Sequence, residues 1–101
     1  MKHTSHLSNI TPGEILLEEF IKPHGLSQNG LAEALGVSPM TVNQIVNGKR
    51  TVTAEVALRL GRYFGMSPQF WLNLQARHDL EKTEDAIGVR LRQEVRPLTA
   101  V

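Results

Sequence analysis

Between residues 38 and 50 the chain gathers side chains whose chemistry suits the edges of base pairs: Ser38, Met40, Thr41, Asn43, Gln44 and Asn47, followed at once by Lys49 and Arg50. Primary amides carry a donor and an acceptor side by side, the pattern that adenine shows in the major groove, and the methyl groups of Thr and Met match the thymine methyl. Lys and Arg neutralise phosphates without reading sequence. The strongest base-reading candidates are Thr41 and Gln44, with Met40 and Asn43 next. Gln28, Ser38, Lys49 and Arg50 are the candidates for phosphate contact, helped by backbone N–H groups at two helix starts. Each of these residues alone is ordinary surface. Their placement on one face of one short helix is what carries the expectation of duplex DNA binding.

Other chemistries are poorly served. The 101 residues contain no cysteine, so thiolate metal sites and disulfides are excluded. His3 and His6 lack a third ligand, and His24 and His78 stand apart. There is no His-Glu-x-x-His, no glycine-rich phosphate loop and no nucleophile with a nearby base. No catalytic residue, metal or cofactor is therefore expected, and the chain does not read as an enzyme. No apolar run reaches the ~18 residues of a membrane span, and no signal-peptide pattern opens the chain; the expected location is cytoplasmic. A net charge of +1 is low for a nucleic-acid binder, but the charges are segregated. Glu14, Glu18 and Glu19 lie early, whereas Lys49, Arg50, Arg59 and Arg62 face a single acid, Glu55, in their stretch.

The elements that must position this face are legible from caps and periodicity. Thr11-Pro12-Gly13-Glu14 reads as a capping box with proline at the first helical position. Ile15, Leu16, Phe20 and Ile21 form that helix's apolar side, and Pro23 and Gly25 end it. Ser27 caps a second helix with Leu31, Ala32 and Leu35 inward; Gly36 closes it. Ser38-Pro39 opens a third to about Asn47, with Val42, Ile45 and Val46 buried. Thr53 caps a fourth, 54 to 64, bearing Val56, Ala57, Leu60 and Phe64. Ser67-Pro68 opens a fifth that carries Phe70, Trp71, Leu74 and later Leu80. No strand alternation occurs, so the fold class is all-α, built of five short helices.

Helices two and three meet the demands of a helix-turn-helix over 27–47: small Ala32 at the crossing, Gly36 in the turn, Val37 as the plug, Val42 and Ile45 facing back. The organisation expected is a flexible segment 1–10, a domain over 11–80, and a C-terminal extension over 81–101 that is a candidate for dimerisation. In that extension Ala86, Val89 and Leu91 suit a further helix, Gly88 weakens it, and Pro97 stops it. Phe70, Trp71 and Leu74 are assigned to the core or a dimer seam. Gly30 and Gly61 fall inside helices and should each cost ~1 kcal/mol.

Several runs carry a family resemblance: Leu26-Ser-Gln, Leu31-Ala-Glu-Ala-Leu-Gly-Val-Ser38, Asn47-Gly-Lys-Arg50, Ala57-Leu-Arg-Leu60, and Ser67-Pro-Gln-Phe-Trp-Leu-Asn-Leu-Gln75. Over about residues 11 to 80 the chain resembles HigA-type antitoxins, a VapI-like branch of the lambda-repressor/Cro-like helix-turn-helix class. The resemblance implies a five-helix lambda-repressor-like domain with a short helical extension or tail. It also implies a homodimer that binds its own operator DNA and represses its operon, with reading residues at Met40, Thr41, Asn43 and Gln44. It further implies a protein partner, a HigB toxin that is a RelE-like mRNA-cleaving ribonuclease. Relatives often carry arginines where Met40 and Thr41 stand. The alternative is a stand-alone helix-turn-helix regulator with no toxin partner.

Overall fold

The computed structural model describes residues 9–99. The expected flexible segment 1–10 lies mostly outside these residues, as do His3 and His6. The described residues form helices and connecting turns, with no strand. Helix α1 (Pro12–Ile15) runs straight into a π-helical stretch (Leu16–Ile21). Then come α2 (Gln28–Leu35), α3 (Pro39–Val46), α4 (Ala54–Phe64) and α5 (Pro68–Glu94).

Every helix start rests on the cap its sequence offers. Thr11 Oγ1 accepts from the Glu14 N–H while Glu14 Oε1 accepts from the Thr11 N–H, which satisfies two orphan donors reciprocally. Ser27, Ser38, Thr53 and Ser67 each accept a first-turn N–H. The π-helical stretch was not legible in the sequence. Its i→i+5 bonding, as in Lys22 N–H to the Leu17 carbonyl, brings Leu16 and Ile21 to the same side. Both are buried, whereas a regular α-helix would set them about 140° apart around its axis.

The core is one cluster under all the helices. Leu31, Ala32 and Leu35 of α2 meet Val42 and Ile45 of α3, with Ala57 and Leu60 of α4, Leu16 and Trp71 completing it. Three aromatic rings tie distant elements together: Phe20 lies 4.9 Å from Phe64 and 5.0 Å from Trp71, centroid to centroid. Two close approaches depend on glycine. A Cβ on Gly13 would run into the Ile45 carbonyl, so α1 lies directly on the end of α3. A Cβ on Gly61 would sit 2.6 Å from the Met66 carbonyl, so the turn into α5 folds tightly over α4. Gly30 has no such neighbour; only the Ser27 hydroxyl is close.

Helix α5 corrects the expectation most. It is one helix of 27 residues, about 40 Å long. No break falls at residue 80, and Gly88 does not interrupt it. The ~1 kcal/mol cost of a helical glycine is easily carried by neighbours that favour helix, and the Glu84 side chain lies across Gly88 to bond Arg92. Only the first part of α5 meets the core. Trp71 is 1% exposed and Leu74 is half-buried, whereas Phe70 is 39% and Leu80 71% exposed. Phe70 and Leu80 are therefore not core residues: Leu80 lies on a side of α5 that faces solvent.

Candidate nucleic-acid interface

The geometry of α2 and α3 follows from their junction. Gly36 takes a left-handed conformation (φ 76°), and the Val37 N–H bonds the Ala32 carbonyl. The chain thus turns sharply and Ser38 starts α3 within two residues. With Val42, Ile45 and Val46 buried, the opposite face of α3 is directed outward. Met40, Asn43 and Asn47 are exposed there, and Thr41 and Gln44 are half-buried.

The polar side chains of this face are already bonded to one another. Ser38 Oγ and Thr41 Oγ1 lie 2.9 Å apart, and Ser38 Oγ also accepts the Thr41 N–H. Thr41 is accordingly drawn back toward the helix start, which is why it is only half exposed. Gln28, Asn43 and Asn47 form a chain of amides, each link 3.3 Å: Asn43 Nδ2 donates to Gln28 Oε1, and Asn47 Nδ2 donates to Asn43 Oδ1. This joins the first residue of α2 to the middle of α3. Arg50 Nε donates to Gln44 Oε1 at 2.9 Å.

The structure therefore brings together seven of the eight polar or basic residues selected from sequence, in three bonded groups plus the neighbouring Lys49. Lys49 is exposed and its ammonium forms no ion pair among the described residues. Met40, at 63% exposure, stands beside these groups as an uncovered apolar tip. The left-handed Gly48 (φ 73°) swings the chain from α3 into the loop that holds Lys49 and Arg50. One basic residue was missed. Lys82 of α5 lines the same cleft as Thr11, Lys49, Arg50 and His78, together with Asp79. No local signal places it there, because it depends on how α5 crosses α1.

The loop after α3 is fixed from behind. Val52 is buried, and its N–H donates to Gln75 Oε1 at 2.8 Å; Gln75 Nε2 in turn donates to Asp79 Oδ1 at 2.9 Å. A buried glutamine of α5 thus holds the segment that carries Lys49 and Arg50. Among the described residues no cluster of His, Cys, Asp or Glu is arranged to hold a metal ion.

Comparison with known proteins fits this arrangement. Residues 17–71 match the helix-turn-helix family HTH_3. Virulence-associated protein I of Dichelobacter nodosus is 56% identical over 75 residues, covering 74% of this chain and 69% of that protein. Antitoxin HigA-1 of Vibrio cholerae is 42% identical over 76 residues, 75% of this chain and 71% of its own. The chain belongs to the HigA-type helix-turn-helix family. Among solved structures, the Pseudomonas aeruginosa antitoxin HigA with the higBA promoter superposes with a TM-score of 0.88 at 46% identity, over 90% of this chain and 99% of that one. The HigA-type likeness thus extends well past the helix-turn-helix and includes most of α5. No helix among the described residues is long and apolar enough to cross a membrane.

Proposed function

We propose that this protein is an antitoxin that binds operator DNA as a homodimer, represses its own operon, and neutralises a HigB-type, RelE-like mRNA-cleaving toxin. The observation that carries the reading is the likeness, over nearly the whole chain, to a HigA antitoxin solved with its promoter. Helix α3 enters the major groove, with Met40, Thr41, Asn43 and Gln44 toward base edges. Gln28, Ser38, Lys49 and Arg50 meet phosphates, and Lys49 and Arg50 supply charge that the near-neutral chain otherwise lacks.

One reading helix spans only a few base pairs, so a two-fold dimer on a palindromic site is the economical arrangement. The projecting half of α5 supports it. Leu80 and Val89 are exposed there, Ile87 and Leu91 half-exposed. Asp79, Glu81, Glu84 and Asp85 precede Gly88 with Lys82 among them, and Arg90, Arg92 and Arg96 follow it with Glu94 among them. Glu84 pairs with Arg92 and Arg90 with Glu94 inside the helix, so the apolar side chains are what two such helices laid antiparallel would bring together. Phe70 and Leu74, which the core leaves partly uncovered, lie at the root of this seam.

Two measurements test the reading. A gel shift on the protein's own promoter should show salt-sensitive, sequence-specific binding, and its absence removes the DNA reading. Co-expression with the neighbouring toxin gene should rescue growth. A toxin that stays lethal leaves a stand-alone regulator.

A further inference from the structure

Most polar side chains on α3 can turn either way. The chain Gln28–Asn43–Asn47 consists of primary amides alone, and reversing all three together keeps both bonds. Gln44 has no such freedom. Its partner is the Nε–H of Arg50, and a guanidinium has five donors and no acceptor. The Gln44 amide must therefore turn its oxygen to Arg50. Gln44 Nε2 then makes no hydrogen bond to protein among the described residues, nor do Arg50 Nη1 and Nη2. Side by side on the outer rim of α3, the two residues display donors.

We propose that Arg50 is a specificity-determining residue that acts with Gln44 as one unit whose free positions are mainly donors, and that this unit reads guanine. The inference rests on the DNA-binding reading above and refines it. A glutamine free to rotate pairs with adenine, because adenine offers the N7 acceptor and the N6 donor and glutamine supplies the complement of both. With its oxygen turned to Arg50, Gln44 meets adenine as a donor at N7 and has only the second lone pair of that engaged oxygen left for the N6 donor. Guanine offers two adjacent acceptors, N7 and O6, and both are met by donors of the pair. Arg50 is thus more than the phosphate contact its position after α3 implies. It fixes which atoms Gln44 presents.

Lysine separates this role from plain charge, since Arg50→Lys keeps the cation but loses the planar Nε–H that fixes the amide. The experiment is selection of bound duplexes from a randomised library by the wild type, Gln44→Ala and Arg50→Lys, followed by binding constants for the selected site and for an unrelated duplex. The wild type should select a guanine at one position in each half-site. Replacing it with 7-deazaguanine, which lacks the N7 acceptor, should weaken binding roughly tenfold. Both variants should lose that preference at the same position, roughly tenfold or more. Because Arg50→Lys keeps the charge that meets phosphate, its loss on the unrelated duplex should be several-fold smaller than its loss on the selected site. Both side chains lie at the surface, and circular dichroism checks that the fold is kept. Selection of adenine at the position governed by Gln44, or an Arg50→Lys protein that still demands guanine, overturns the inference while leaving DNA binding intact. So does an Arg50→Lys protein that weakens on every sequence equally. A wild type that retains no duplex overturns the DNA reading itself.

Discussion

At the scale of single residues, two side chains show how differently polar groups are used. Gln75 is buried and supplies the acceptor for the Val52 N–H. Removing it orphans a buried donor, so Gln75→Leu should lower stability by about 1–3 kcal/mol in chemical denaturation. Trp71 is just as deeply buried, yet its Nε1 has no hydrogen-bond partner. Its contribution is area and ring contact with Phe20. Trp71→Ala should therefore cost about 3–5 kcal/mol, whereas Trp71→Phe, which loses no hydrogen bond, should cost well under half as much. On the outer face, Thr41→Ala with Gln44→Ala should abolish specific binding in a gel shift and leave the melting curve nearly unchanged. Lys49→Ala should weaken all duplexes alike and reduce the slope of log K against log salt by about 1.

At the scale of elements, the two mid-helix glycines separate. In sequence both look like the same ~1 kcal/mol defect. In the fold Gly61 lies under the Met66 carbonyl and Pro68, while Gly30 meets only a serine hydroxyl at 3.0 Å. Gly30→Ala should raise the melting temperature and Gly61→Ala should lower it, measured by calorimetry. Gly13→Ala should lower it further, since the obstruction is backbone of α3 that cannot step aside. The caps, the left-handed Gly36 and the buried face of α3 were legible because each is dictated by neighbours within a few residues. The π-helical stretch, the reach of α5 past Gly88 and the meeting of Arg50 with Gln44 were not. Each depends on where a separate element lies, which periodicity does not encode. For the same reason the reading face was foreseen as a set of residues but not as three bonded groups.

At the scale of the whole molecule, the chain has a compact end and a projecting one. The core occupies the first five helical segments and the root of α5, and the rest of α5 extends outward, giving principal extents of 55 × 32 × 21 Å. A helix that carries Leu80, Ile87, Val89 and Leu91 uncovered or half-covered calls for a partner. Ile87→Lys with Leu91→Lys should convert a dimer to a monomer in sedimentation, with the circular dichroism spectrum little altered. Binding to a palindromic site should then fall much more than binding to an isolated half-site.

The bond from Val52 to Gln75 joins these scales. It leaves one amide proton, buried behind the loop of Lys49 and Arg50, in the keeping of the helix that projects from the other end. That proton is a gauge. Its rate of exchange with heavy water reports how firmly α5 is seated, and a protein that grips the far half of α5 should slow the exchange from a distance without touching the loop at all.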